Sequence, residues 1–156
     1  MSAVALDAIL ATCGDERHPP SAALDGRANT YFITTGLFPQ ELVFAVKAGS
    51  ANVSKLSFIT FGIQKLRVEK SFENTPSKFV PLLDCEMDPP ANYSTTTSGP
   101  VSPGRGEVTR QVEQFQLNKT TAGANVRFLK VVIDSGYGDF AAIYDVSVEG
   151  DEVEED

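Results

Sequence analysis

Apolar and polar residues alternate along this chain in short runs, and each run ends in turn-forming residues. Leu42, Phe44 and Val46 point one way while Val43 and Ala45 point the other. Leu56 and Phe58 repeat the pattern with Phe61 just beyond, and Leu66 and Val68 follow between Gln64, Lys65, Arg67 and Glu69. Val112, Phe115 and Leu117 come next, then the denser run Val126–Ile133, then Ile143, Val146 and Val148. Successive strand side chains face opposite sides of a sheet, so a period of two marks a half-buried strand. Repeats of this kind broken by turns predict an all-β antiparallel sandwich or barrel of about eight strands. No window sustains the 3.6-residue period of a helix. The dense run Val126–Ile133 predicts a strand buried on both faces, and therefore a central one.

Two stretches break the alternation. Residues 11–41 are rich in turn signals, with His18-Pro19-Pro20, Asp25-Gly26 and Gly36, and polar groups recur at close spacing, which predicts a structured loop. Residues 86–108 hold Pro89-Pro90, a Ser/Thr run and Pro103-Gly104-Arg105-Gly106. That composition buries too little apolar area to offset its ordering entropy, so a mobile loop between strands is expected there. The chain thus divides into one domain over residues 1–148 and an acidic, disordered tail over residues 149–156.

Composition sharpens this picture. Ten Phe, two Met and no Trp accompany many Val and Ile, a set that suits pleated surfaces. The net charge of −8 is concentrated at the end, where residues 149–156 carry six acids and no base. The remaining body holds 15 acids against 13 bases, so it offers no basic patch for nucleic acid or anionic lipid. No run approaches the ~20 apolar residues that a membrane-spanning helix needs, and the N-terminal residues lack a signal-peptide pattern. Cys13 and Cys85 form no Cys-x-x-Cys pair, and they read as reduced thiols of a cytoplasmic protein.

Catalytic chemistry is hard to find. His18, the single histidine, precedes two prolines in a turn, and no third group is recognisable to orient a pairing with Cys13. The stretch Ser98–Gly106 lacks the Gly-Lys-Ser/Thr ending of a phosphate-binding loop. Asp84, Glu86 and Asp88 lead into Pro89-Pro90 without the glycine turn and terminal Glu of an EF-hand. The expectation is a non-enzymatic, protein-binding domain. The segment Asp25-Gly26-Arg27-Ala28-Asn29-Thr30-Tyr31-Phe32 admits two readings. It is either a plain Asp-Gly turn closed by Thr30, or a turn whose carbonyls join the Asp25 carboxylate and Thr30 hydroxyl in the all-oxygen shell that Ca²⁺ accepts.

That Asp-Gly-x-x-x-Thr-aromatic-aromatic loop resembles the discoidin, or galactose-binding-like, jelly-roll superfamily, which often carries structural calcium there. The string Ala11-Thr12, Asp15-Glu16, His18-Pro19-Pro20, Asp25-Gly26, Thr30, Thr34-Thr35-Gly36 and Phe38-Pro39-Gln40-Glu41 narrows the resemblance to the intraflagellar transport protein 25 family. Gln64–Ser71, Phe140-Ala141 and Val146–Gly150 agree with it, so it covers roughly residues 5–150 apart from the Ser/Pro/Gly-rich stretch. The resemblance implies a galactose-binding-domain-like jelly roll that serves as a non-catalytic subunit of the intraflagellar transport B complex. It implies a heterodimer with a Rab-like small GTPase, further complex B subunits as partners, and cargo transport in the cilium or flagellum and at the basal body.

For calcium it implies side-chain oxygens from Asp25 and Thr30, backbone carbonyls from Ala22 and Arg27, and a late acidic ligand, Asp145. The turn Phe38-Pro39-Gln40 is the expected partner contact, with Phe38 either projecting as an anchor or packing into the core. Two other classes compete: a calcium-dependent carbohydrate-binding module, against which Phe32 stands where the superfamily places tryptophan, and a small heat-shock-like chaperone, against which the chain ends Glu-Val-Glu-Glu-Asp. If calcium is held as the resemblance implies, Asp25→Ala lowers the melting temperature measured in calcium and abolishes the shift that a chelator produces. An unchanged chelator shift in that variant removes the assignment.

Overall fold

The computed structural model describes residues 2–12, 20–24, 31–35, 38–87, 111–137 and 140–154. Among them there is no α-helix, and the regular elements are ten strands and one 3-10 turn, Pro20–Ala23. The strands are β1 (Ser2–Ala3), β2 (Leu6–Ala11), β3 (Phe32–Thr35), β4 (Gln40–Val46) and β5 (Gly49–Phe61). After them come β6 (Ile63–Ser71), β7 (Val80–Glu86), β8 (Gln111–Gln116), β9 (Phe128–Gly136) and β10 (Phe140–Glu154). They form two five-stranded sheets, one ordered β1-β10-β5-β8 with β3 also on β10, the other ordered β2-β4-β9-β6-β7. Every pairing is antiparallel. The expected all-β sandwich is present. The two strands beyond the expected eight are short: β1 and β3 carry too few residues for alternation to show.

The alternating positions build the core. Leu42 and Phe44 of β4, Leu56 and Phe58 of β5, Leu66 and Val68 of β6, and Leu129, Val131 and Ile133 of β9 all lie buried between the sheets. Phe58 meets Phe115 of β8 edge-on, with centroids 6.1 Å apart. Burying each such side chain stabilises the fold by about 1.5–3 kcal/mol. Strand β9 is central, paired with β4 on one side and β6 on the other. On its opposite face Val132 is buried as well, but Phe128, Lys130 and Asp134 are only partly so, and the expected burial on both faces is met at that one position.

The chain passes from the first sheet to the second through a single residue, Gly62, between β5 and β6. Its φ of 78° lies in the left-handed region that glycine enters without a Cβ clash. Several bonds fix this corner. The Gly62 carbonyl accepts from the Tyr137 N–H at 2.9 Å. The Gln111 amide clasps the Ile63 backbone, its Nε2 donating to the Ile63 carbonyl at 2.7 Å and its Oε1 accepting from the Ile63 N–H at 3.1 Å. The buried Thr60 hydroxyl donates to Gln111 Oε1 at 3.0 Å and lies 3.5 Å from Met87 Sδ.

Two expected boundaries are corrected. Residues 149–154, expected as part of a disordered tail, are in a strand: Glu149–Glu154 continue β10 along β5, from Glu149↔Lys55 to Glu154↔Gly49. Backbone pairing needs no apolar side chains, and two of the acids meet lysines, Glu149 with Lys55 at 3.6 Å and Asp151 with Lys119 at 2.8 Å. Gly150 permits the close approach, since a Cβ there would come within 2.2 Å of the Asn52 carbonyl oxygen. The first two residues of the stretch expected to be mobile are ordered, because Glu86 ends β7 and Met87 is buried. Residues 88–110 lie outside the described residues.

The Gln111 clasp ties the edge of one sheet to the first residue of β6 in the other. Gln111→Leu strands a buried N–H, a buried carbonyl and the Thr60 hydroxyl, and it is expected to cost about 3 kcal/mol. Urea unfolding measures this as a lowered midpoint at unchanged slope; a midpoint equal to wild type would show that the clasp contributes nothing.

Candidate functional site

Three of the five residues expected to hold calcium, Asp25, Arg27 and Thr30, lie outside the described residues. Ala22 is in the 3-10 turn, buried, with Ala23 beside it in the core. That turn packs against β2, β3 and β10. Asp145 is in β10 at a bulge opposite Ile59, and its carboxylate accepts a bond from the Ser147 hydroxyl. Ala22 and Asp145 supply one carbonyl and one carboxylate, fewer than the six to eight oxygens that Ca²⁺ takes. Among the described residues no group of three or more His, Cys, Asp or Glu is placed to hold a metal ion. The donor set therefore depends on residues 25–30.

The turn expected to contact a partner is mostly internal. The Phe38–Pro39 bond is cis, and Phe38 packs half-buried against the core. Its ring fits where a Cβ on Gly136 would approach Cζ to 2.8 Å. Gln40 is buried and accepts from the Thr12 hydroxyl at 2.6 Å, while the Glu41 N–H donates to Thr12 Oγ1 at 2.8 Å. Phe38 and Gln40 are packing residues, then, and only Pro39 of the three is exposed. Pairing with Thr12 and contact with Gly136 span distances in sequence that no local pattern reports.

A surface missed in the sequence is the outer face of the β2-β4-β9-β6-β7 sheet. Arg67 of β6 grips Asp134 of β9 through two bonds, Nε to Oδ2 at 2.6 Å and Nη2 to Oδ1 at 3.1 Å, and reaches Glu69 Oε2 at 3.2 Å. Lys130 of β9 lies 3.8 Å from Glu69 and 4.0 Å from Glu41, with its ammonium 4.4 Å above the Phe79 ring. Val43 and Val132 are buried beneath the stems of these charged side chains. The Asp134 carboxylate, hydrogen-bonded to Arg67, raises the guanidinium pKa above its ordinary value. Pairs this exposed add little stability singly, but they hold a fixed pattern of charge.

One end of this face is apolar. Ile9 and Leu10 of β2 are 44% and 56% exposed, too much for large aliphatic side chains without a covering partner to pass unremarked. They line an open groove of about 560 Å³ with Val43, Pro76, Phe79 and the Glu41, Glu69 and Lys130 side chains. A bulge between Ala8 and Leu10 in the pairing with β4 brings both residues to the outside. The signal was available as two adjacent apolar residues in Leu6-Asp7-Ala8-Ile9-Leu10-Ala11, a break in strict alternation.

Among the described residues, Cys85 is the one cysteine. Cys85 of β7 is a free thiol, and burial, followed by the carboxylates of Glu113 and Asp84, pushes its pKa up to about 11. A thiol so shifted stays protonated at neutral pH and is a poor nucleophile. Cys13 and His18 lie outside the described residues. No helix among the described residues is long and apolar enough to cross a membrane.

No family model matches the chain. Its curated relatives include intraflagellar transport protein 25 of Chlamydomonas reinhardtii, 34% identical over 91% of this chain. The human intraflagellar transport protein 25 homolog is 28% identical over 96%. The chain spans 64% of the length of the algal relative and 90% of that of the human one. Among solved structures, a family 32 CBM of a Clostridium perfringens protein, in complex with GalNAc-β-1,3-galactose, superposes with a TM-score of 0.69. It has 18% identity and covers 94% of this chain and 99% of its own. A chain from reduced XRCC1 bound to the DNA pol beta catalytic domain reaches a TM-score of 0.72 at 13% identity, covering 96% of this chain and 99% of its own. At these identities the likeness is one of fold, that of an antiparallel jelly-roll sandwich. The sequence relationship goes further: the chain is a homologue of the intraflagellar transport protein 25 of Chlamydomonas and human.

Proposed function

We propose that this chain is a non-catalytic subunit of the intraflagellar transport B complex, paired with a Rab-like small GTPase and carried in cilia or flagella and at the basal body. The observation that carries the reading is the relationship to intraflagellar transport protein 25 over 91% of the chain. The geometry agrees with a binding role. A rigid sheet face with ordered charges and an apolar groove at one end has the make-up of a protein interface, in which a few anchors dominate affinity and a polar rim gives register. Ile9 and Leu10 are the anchors in this proposal, with Arg67, Glu69, Lys130 and Asp134 as the rim.

Calcium is part of the same proposal, as a structural ion held by Asp25 and Thr30 with the Ala22 and Arg27 carbonyls and Asp145. The packing of the Ala22 turn against β10, the strand that carries Asp145, supports it. When bound, such an ion supplies fixed positive charge that holds the loop. The carbohydrate reading has the fold alone in its favour, because the neighbours solved with sugars share no more than 18% identity with this chain.

A pull-down from ciliated-cell extract, with the bound proteins identified by mass spectrometry, tests the role. A small GTPase is expected at a one-to-one ratio with the chain, and recovery of the chain alone at micromolar concentration ends the proposal. Leu10→Asp places a charge on an exposed position and leaves the fold intact by thermal unfolding. It is expected to weaken the complex about tenfold or more; unchanged affinity moves the interface to another face.

A further inference from the structure

The turn joining β6 to β7, residues 72–79, holds the tetrapeptide Thr75-Pro76-Ser77-Lys78. All four residues are exposed. The Thr75 hydroxyl faces solvent, 3.1 Å from the Ser77 hydroxyl, in a bend closed by a Ser77 N–H bond to the Thr75 carbonyl at 2.7 Å. The base of the turn is fastened separately. The Ser71 hydroxyl donates to the Ser77 carbonyl at 2.6 Å and accepts from the Glu73 N–H at 3.2 Å. The apex is therefore presented on a rigid hairpin with its acceptor hydroxyl outward.

Lys78 is the informative residue. Its φ of 54° lies in the left-handed region, which costs a non-glycine residue about 1 kcal/mol. Its side chain is 80% exposed, and its nearest acid is Glu73 at 4.0 Å. Neither burial nor a tight ion pair occupies its ammonium, which faces solvent three residues after the Thr75 hydroxyl. Kinases that require proline after the acceptor have a pocket there that leaves a backbone N–H unpaired, and proline has none to lose. A cation three residues after the acceptor pairs with acidic groups on such enzymes. Thr75, Pro76 and Lys78 stand at these three positions.

We propose that Thr75 is a phosphorylation site for proline-directed serine/threonine kinases. The hydroxyl oxygen attacks the γ-phosphorus of ATP, the bond from that phosphorus to the β–γ bridging oxygen breaks, and ADP leaves. The hydroxyl proton passes to the kinase's catalytic aspartate. The product carries nearly two negative charges next to Lys78, which exchanges the distant Glu73 carboxylate for the phosphate. Pro76, Ser77, Lys78 and Phe79 also line the groove containing Ile9 and Leu10, so the new dianion stands on its rim. The site is independent of the proposed transport role.

The test treats the full, folded chain with ATP and a cyclin-dependent kinase, with phosphate assigned residue by residue because Ser102-Pro103-Gly104-Arg105 is a second Ser/Thr-Pro sequence with a cation at the third position. Phosphate is expected on Thr75, retained on the acceptor in Thr75→Ser. Pro76→Ala restores an unpaired N–H and lowers the initial rate at this position about tenfold; Lys78→Ala lowers it less. Thermal unfolding confirms that these exposed variants remain folded. The proposal is overturned if Thr75 stays unmodified in the folded chain, or if Pro76→Ala is modified at the wild-type rate.

Discussion

The sandwich depends on one constraint: the chain must change sheets between Phe61 and Ile63 with a single residue to do it. A crossing that short brings the ends of two interior strands together at a point where backbone groups leave one ladder before entering the next. Buried groups left unpaired there would each cost about 1–3 kcal/mol. The structure meets the demand with side chains and distant backbone. Gln111 takes both polar groups of Ile63, and the Tyr137 N–H takes the Gly62 carbonyl. The Tyr137 hydroxyl donates to the Met87 carbonyl at 2.6 Å, while the Met87 N–H donates to the Gln64 carbonyl at 2.7 Å. Residues 87 and 111, on either side of the undescribed stretch 88–110, are thus gathered at the corner. The entropic cost of closing a loop grows only slowly with its length, so fixed ends make a long insertion tolerable.

Much of the fold was legible because one face of nearly every strand is buried, and burial writes its period of two into the chain. Phe44, Phe58, Val68 and Ile133 announced the core in this way. The errors have a common physical origin. The acidic end of β10 was read by side-chain composition, whereas its order comes from main-chain pairing with β5 and from Lys55 and Lys119 far away in sequence. Gln40 looked like a surface residue beside a turn, and Thr12 made it an interior one. The calcium expectation is a different case: Asp25 and Thr30 are visible in the sequence as a donor pattern, but a pattern of donors does not specify convergence. Ala22 and Asp145 by themselves supply too few oxygens to do so.

The outer face of the second sheet illustrates how covering and exposure divide the surface between them. On the outer side of the second sheet, Val43 and Val132 are buried under charged stems, which leaves those positions with no apolar area to offer. Ile9 and Leu10 escape that covering because the β2 bulge adds a residue at the sheet edge. Bulges at edges also discourage indiscriminate strand pairing. One irregularity therefore both guards the edge against aggregation and displays two apolar side chains beside a network of fixed charge. A flat, regular strand would do neither.

Strand β10 is held along both flanks, by β5 on one side and by β3 and β1 on the other. Peeling it away would break three hydrogen-bonded ladders together, one of which ties down Ser2–Ala3. Fraying, the ordinary first step of local opening in small domains, is thereby opposed at Ser2–Ala3 and at Glu149–Gly150 together. Loss of β1 and of this part of β10 becomes a single cooperative event rather than two independent ones.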